Sequence, residues 1–385
     1  MAQVTLGDVA IESRETYKGD KSGMPIIGLE HLIPEDVVLS LWDRDKENTF
    51  TKMFRKGDML FGRRRAYLKK AAQAPFDGIC SGDITVIRAK EDRLIPELLP
   101  FIIQNDVLFD FAVGKSAGSL SPRVKWENLK NYKFELPPLP EQKKLAEALW
   151  AINDTLQAYQ KLLIETDELV KSQFIEMFEA EGKVFPECTI IEACIDKDDI
   201  KCGPFGTQLK QSEYTDTGVA VWGIPEINTE FQKKPEIFVT PEKAEKLAPF
   251  SLVPGDIAMS RKGNVGQCAI YPDGFEPGII ASDVLRIRVD SERFVPRFMQ
   301  YQLHYSNHVR NQILQVSNGA VMAGINVTKL KSISVYIPPL GSQKEFVAFV
   351  EQSDKSKFAL QNSISAARET KRSIIADALG IKGKE

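Results

Sequence analysis

Histidine is the scarcest of the chemistry-bearing residues: the 385-residue chain has three, His31, His304 and His308. His304 and His308 stand four apart, a spacing that suits a metal on one helix face. No acidic residue lies between them, so a solvated face is the expected reading and no metal is expected. Five cysteines, at 80, 188, 194, 202 and 268, are odd in number and form no Cys-x-x-Cys pair. Neither a disulfide framework nor a zinc site is therefore indicated. No run approaches the roughly 18 apolar residues of a membrane span. Met1 to Ala10 lacks the charged region and apolar stretch of a signal peptide, so a cytoplasmic protein without membrane contact is expected. A Gly-x-Gly-x-x-Gly loop is missing, as is the Asn/Asp-Pro-Pro-aromatic tetrapeptide of amino-methyltransferases. Gly114-Lys115-Ser116 looks like the end of a phosphate loop, but the glycine required five residues earlier is Phe109. Catalysis by this chain is not expected.

Basic excess is absent too, since the net charge is −3. A nucleic-acid binder of this composition must rely on local patches, or on partner chains for the remaining positive charge. With 43% hydrophobic and 27% charged residues, the chain is an ordinary globular one.

What the chain does have is itself, twice. Phe54-Arg-Lys-Gly-Asp-Met-Leu-Phe-Gly-Arg-Arg64 is answered by Leu252-Val-Pro-Gly-Asp-Ile-Ala-Met-Ser-Arg-Lys262. Ser81 to Arg88 matches Ala281 to Arg288, Leu94-Ile-Pro96 matches Phe294-Val-Pro296, and Gly118 matches Gly319. Leu136-Pro-Pro-Leu-Pro-Glu-Gln-Lys143 matches Ile337-Pro-Pro-Leu-Gly-Ser-Gln-Lys344. The matches keep their order at offsets of 198 to 201. Two copies of one α+β module are implied, each followed by a helix: 1–139, 140–180, 181–340 and 341–385.

Proline pairs cannot lie inside a helix, and both are followed by long proline-free segments. In the first, Leu145, Leu149, Ile152, Leu156, Tyr159, Leu163, Thr166 and Val170 recur at steps of four and three, a heptad seam. The second continues the same steps from Phe346 to Ala378, with Ser353, Lys357 and Lys371 on the seam. At ~1.5 Å per residue, some 38 residues span about 57 Å, too long to hide in one module. Residues 140–180 carry eight acidic side chains against four basic ones, and 341–385 carry eight basic against six acidic. The simplest partner for each helix is the other, run antiparallel with an approximate two-fold. Such a calliper is the geometry of dimeric DNA readers.

The doubled Pro-Pro-Leu-x-x-Gln-Lys, the Gly-Asp turn followed by arginine, and Cys202-Gly-Pro-Phe-Gly-Thr-Gln-Leu-Lys210 resemble the specificity subunit of type I restriction-modification systems. The resemblance covers nearly the whole chain, although the first module has no Gly-Pro-Phe-Gly turn around Glu12 to Gly23. It implies two target-recognition domains separated by paired antiparallel coiled-coil helices, reading a bipartite double-stranded DNA sequence. It further implies two methylation subunits that use S-adenosylmethionine, and restriction/motor subunits that use ATP and Mg, with no cofactor in this chain. The competing readings are a DNA methyltransferase with an unrecognised active site and an assembly scaffold that grips only proteins.

Three places offer the side chains that DNA contact needs. The first is Arg63, Arg64, Arg65, Tyr67 and Lys69, with Arg261, Lys262 and Asn264 as its counterpart. Lys115, Ser119, Ser121, Arg123 and Lys125 form the second, answered by Asn318 and Asn326. The third is Lys201, Thr207, Gln208 and Lys210.

Overall fold

The computed structural model describes residues 2–263, 265–317 and 324–381. It divides into two units, Met1–Leu162 with Ala359–Glu385, and Leu163–Phe358.

Short β-branched runs broken by Gly, Pro and Asp give strands of two to six residues, and these assemble alike in both units. In the first, a four-stranded antiparallel sheet has the spatial order Ala10–Glu12, Ile84–Ala89, Met59–Gly62, Ala71–Gln73. The second repeats it as Ile200–Cys202, Val284–Ile287, Ile257–Ser260, Cys268–Ile270. A second sheet pairs Ile26–Ile27 parallel to Gly78–Cys80, which pairs antiparallel to Lys52–Phe54. Its counterpart is Val219–Trp222, Gly278–Ile280 and Ser251–Leu252, extended by the edge strand Phe238–Val239. Each module is closed by its own ends, Ala2–Thr5 against Lys133–Leu136 and Glu187–Thr189 against Ser334–Tyr336. The chain is thus α+β and built twice.

The repeated motifs owe their recurrence to buried polar chemistry. Gly57 and Gly255 both adopt positive φ, 92° and 89°, which only glycine takes up without strain. The turn places Asp58 and Asp256, 2% and 1% exposed, beneath a guanidinium. Arg88 donates to Asp58 at 2.7 and 2.8 Å, and Arg288 to Asp256 at the same two distances. Gln142 and Gln343 of the proline-to-helix motifs are 1% and 0% exposed. Gln142 Oε1 accepts from Ile95 N at 3.0 Å, while its Nε2 donates to the carbonyls of Arg93 and Pro137. Gln343 makes the same three bonds to Val295, Arg293 and Pro338. The motif thus ties the start of a long helix to the turn that opens the module's own short helices.

The long helices run over Leu139–Phe178 and Leu340–Ala378. In the first unit Leu149 shares a core with Ile375 and Leu379, so the beginning of one helix lies beside the end of the other. In the second unit Val170, Phe174 and Phe178 pack with Phe346, Val347 and Val350, the end of the first beside the beginning of the second. Both contacts have the antiparallel sense. The heptad seam holds over Leu149 and Leu156, then gives way at the helix ends. Val170 still lies on the seam; beyond it the buried positions are Phe174 and Phe178, and in the other helix Ile375 and Leu379, four apart. A straight helix has 3.6 residues per turn and drifts off a 3.5-residue seam, so fourfold spacing turns each end onto its module. Phe174 and Phe178 meet Phe298 of the second module at ring separations of 6.0 and 4.9 Å. The polar seam positions Lys357 and Ser353 have partners: Lys357 pairs with Asp167 at 3.0 Å, and the Ser353 hydroxyl donates to the Phe349 carbonyl.

The expected solvated face bearing His304 and His308 is corrected. His304 is half-buried, and that burial holds its imidazole below the ordinary histidine pKa. His308 stacks on Tyr336 with ring centroids 4.9 Å apart, its Nε2 lying 3.4 Å from Glu187. Each imidazole is spent on packing.

Candidate nucleic-acid interface

The edge formed by the strand ending at Gly62 carries the arginine loop of the first module. Its backbone is fixed from two sides. Arg63 N donates to the Asp83 carbonyl, and the Arg63 carbonyl accepts from Val124 N at 2.9 Å. Arg65 N donates to the Pro122 carbonyl, and Arg64 bridges to Arg123. Residues 63–65 and 121–124 are therefore one surface, although the sequence presents them as two places. Asp83 organises it. Arg123 Nε donates to Asp83 Oδ1 at 2.7 Å, Arg64 Nη1 lies 3.4 Å from Asp83 Oδ2, and Arg64 Nε donates to Ser121 Oγ at 2.6 Å. The bond from Arg123 above all, with the nearby Arg64 charge, holds the Asp83 carboxyl below the usual carboxylate range.

The second module repeats the backbone and changes the side chains. Arg261 N donates to the Asp283 carbonyl, its carbonyl accepts from Ile325 N, and Lys262 bridges to Gly324. Arg261 Nη1 lies 3.0 Å from Cys202 Sγ and 3.4 Å from the Ser282 carbonyl. Cys202 opens the Lys201–Ser212 loop, so here the first and third places join. Gly203 is required at that junction, because a Cβ on it would lie 2.0 Å from the Ala281 carbonyl oxygen. Arg63 and Arg261, equivalent by these bonds, each keep a buried Nε without a partner among the described residues.

Other expected residues divide by what they touch. Arg65, Tyr67, Lys115, Ser119, Lys125, Thr207, Gln208, Lys210 and Lys262 are exposed. Lys201 is held by Asp198 at 3.0 Å. Lys69 pairs with Asp106 at 2.5 Å and is not joined to the Arg64–Asp83–Arg123 group. Asn326 is a helix cap, its side chain accepting from Lys329 N at 2.9 Å at the start of Val327–Lys331. Lys125 occupies the matching cap position before Trp126–Leu129. Asn264 and Asn318 lie outside the described residues. Two exposed apolar side chains join the candidates only in the structure: Leu120, 92% exposed between Ser119 and Ser121, and Phe205, 61% exposed beside Thr207. The sequence signal for them is an apolar residue among glycine and hydroxyl neighbours.

Glu30, His31 and Asp43 place possible metal ligands within 4.8 Å of one another. His31 Nδ1 already accepts from Gly28 N, and its Nε2 sits 3.3 Å from Asp43, which also holds Lys46. With both ring nitrogens engaged, this is a hydrogen-bonded corner of the module.

The lowered pKa of Asp83 has a consequence for stability. A carboxyl whose folded pKa is depressed stabilises above its unfolded value and loses that contribution as pH falls through the folded one. The stability difference between the native chain and Asp83→Asn is expected to be full at about pH 6 to 7 and to close below about pH 4. Amide exchange of strand Ile84–Ala89 in both proteins across this range, corrected for the intrinsic pH dependence of exchange, checks it; a gap that widened on acidification would contradict the assignment.

A family model described as "Type I restriction modification DNA specificity domain" matches residues 1–166 and 204–367. The type I restriction enzyme MjaVIII specificity subunit of Methanocaldococcus jannaschii is 23% identical over 344 residues, covering 86% of this chain and 75% of that protein. The EcoDI specificity subunit of Escherichia coli is 29% identical over 132 residues, 33% of this chain and 29% of that one. Among solved structures, a chain from work on complex assembly and conformational transition of the type I R-M system superposes with TM-score 0.59. It is 22% identical, and the match covers 98% of this chain and 97% of that one. A type I system S subunit from M. genitalium gives TM-score 0.57 at 12% identity, covering 100% and 96%. Both share the fold.

Proposed function

The chain belongs to the type I restriction modification DNA specificity domain family, and from that premise we propose how it works as the specificity subunit of a type I restriction-modification system. Each module reads one half of a bipartite double-stranded target, and the long helices dock two methylation subunits and the restriction/motor subunits. Chemistry belongs to those partners, with S-adenosylmethionine, ATP and Mg bound there. The observation that carries the reading is the duplicated arginine, Arg63 and Arg261, held at one backbone register in both modules.

Within this reading the residues divide their work. Arg64 and Arg123, aligned by Asp83, present forks whose geometry suits guanine edges or phosphate. Lys115, Lys125 and Lys262, exposed on their loops, supply the sequence-independent attraction that a chain of net charge −3 otherwise lacks. Exposed Tyr67 and Phe205 add apolar faces for sugar or base contact.

Salt titration tests this. In the assembled complex, the logarithm of DNA affinity is expected to fall linearly with the logarithm of salt concentration. Changing Lys115 and Lys125 together to glutamine should flatten the slope by about 0.9 for each phosphate no longer neutralised, for all sequences alike. Affinity insensitive to salt would instead favour the protein-gripping scaffold.

A further inference from the structure

The two units carry matched sites beside the long helices, and the sites differ in how their charges are satisfied. In the second unit, Asp354 takes Arg297 and also Lys357 at 2.9 Å, and Lys357 reaches Asp167 at 3.0 Å. Both cations of that group have a carboxylate. The offset of 201 that relates Gln142 to Gln343 places Asn153 opposite Asp354 and Arg368 opposite Asp167. The first unit thereby has neither carboxylate, and a cation in place of one of them.

What stands there is a cavity of about 540 Å³, the size of a small-molecule site. Asn153 lines it at 4% exposure, and its Nδ2 has no hydrogen-bond partner among the described residues. Such an orphaned donor costs free energy unless something accepts from it. Lys371 lines it too, makes no ion pair among the described residues, and lies 5.4 Å from the Phe101 ring centre. Arg368 and Arg372 stand at the rim on Glu35, 3.1 and 3.4 Å away, and Glu35 is itself held at a positive φ of 72°. The remaining lining mixes apolar side chains, among them Ile33, Val37, Val107, Leu156 and Ile375, with polar ones that include Asp36 and Asp106, the latter held by Lys69 and 3.8 Å from Arg372. Burial above all, opposed by the Glu35 carboxylate and aided by the Arg368 and Arg372 charges, holds the Lys371 ammonium below the ordinary lysine pKa.

We propose that this cavity of the first unit binds a compact organic acid, its carboxylate or phosphate accepting from Lys371 and Asn153 and its apolar body filling the pocket. The site takes in Lys69 at the end of the first arginine loop but not the Arg64–Asp83–Arg123 group, and it stands whether or not that group reads bases.

The test uses the full chain in its complex, with fluorine NMR of 4-fluorobenzoate, 4-fluorophenyl phosphate and the neutral 4-fluorobenzamide. Both anions are expected to bind saturably, and the amide roughly tenfold or more weakly. Lys371→Met should weaken the anions at least tenfold, whereas Lys171→Met in the second unit should leave them unchanged. Inorganic phosphate should compete poorly, because it lacks the apolar body. Should Lys371→Met fail to fold, Asn153→Leu is expected to weaken the anions while the complex still assembles. The proposal is overturned by absent saturable binding, by amide binding equal to benzoate, by inorganic phosphate competing as well as the phenyl phosphate, or by variants that bind like the native chain.

Discussion

Asp256→Ala is expected to lower the stability of the second module by about 2–4 kcal/mol, and Asp58→Ala that of the first by a similar amount. Asp256 is almost wholly buried, and it holds three donors: Val253 N at 2.9 Å and Arg288 through Nε and Nη2. Removing the carboxylate strands a guanidinium that burial otherwise penalises. The figure is kept below that for a fully buried pair because the Arg288 side chain is 38% exposed and water recovers part of the penalty. Asp256→Asn should cost less, since its amide oxygen keeps the turn bond and one bond from Arg288, losing the charge and the other Arg288 bond. Amide exchange of strand Ile257–Ser260 gives the local readout, because unfolding of a two-unit chain is not one transition. Protection unchanged in Asp256→Ala would mean that the pair is dispensable and that the Gly-Asp repeat reflects something other than this ion pair.

The same pair shows how far the amino-acid order alone can be read. The Gly-Asp turn, the Ser81–Arg88 run and the proline-to-helix motif are visible as matched words in one sequence, because each contributes a polar side chain to a buried hydrogen-bond group that the fold uses identically twice. Their purpose is hidden there, since Asp58 and Arg88 are 30 residues apart and only the sheet brings them together. The long helices are legible from the prolines that start them and the apolar steps within them. Their last turns are not, because there the module, and not the other helix, sets the spacing. Strand order escapes the sequence, as strands that, Ile84–Ala89 apart, have two to four residues carry too little periodicity to reveal neighbours.

The candidate interface is legible in composition but not in grouping. Arg63 to Arg65 stands out as a basic run, and the fold joins it to Ser121 and Arg123 through Asp83, an acidic residue that a search for cations passes over. Lys69 belongs to the same run, yet a left-handed backbone at Arg65 and again at Lys69 ends the loop, and its ammonium goes to Asp106. Asn326 has the chemistry of an adenine reader, but the local rule, asparagine ahead of a short helix, predicts the cap that it forms.

The second large effect concerns specificity. Each module closes on its own terminal strands and keeps its own cores, so one can be exchanged with little disturbance of the other. Replacing residues 186–336 with the matching module of a relative, while leaving both long helices in place, is expected to change one half of the recognised sequence completely and the other half not at all. A single mispaired base typically costs ~1–3 kcal/mol, so several changed positions shift the target decisively. The modified adenines in DNA from cells carrying the exchanged chain and its partner subunits report it directly. A new sequence in one half-site, with the other half-site and the gap preserved, is the expected result; a change in both half-sites, or in neither, would mean that the modules do not read independently.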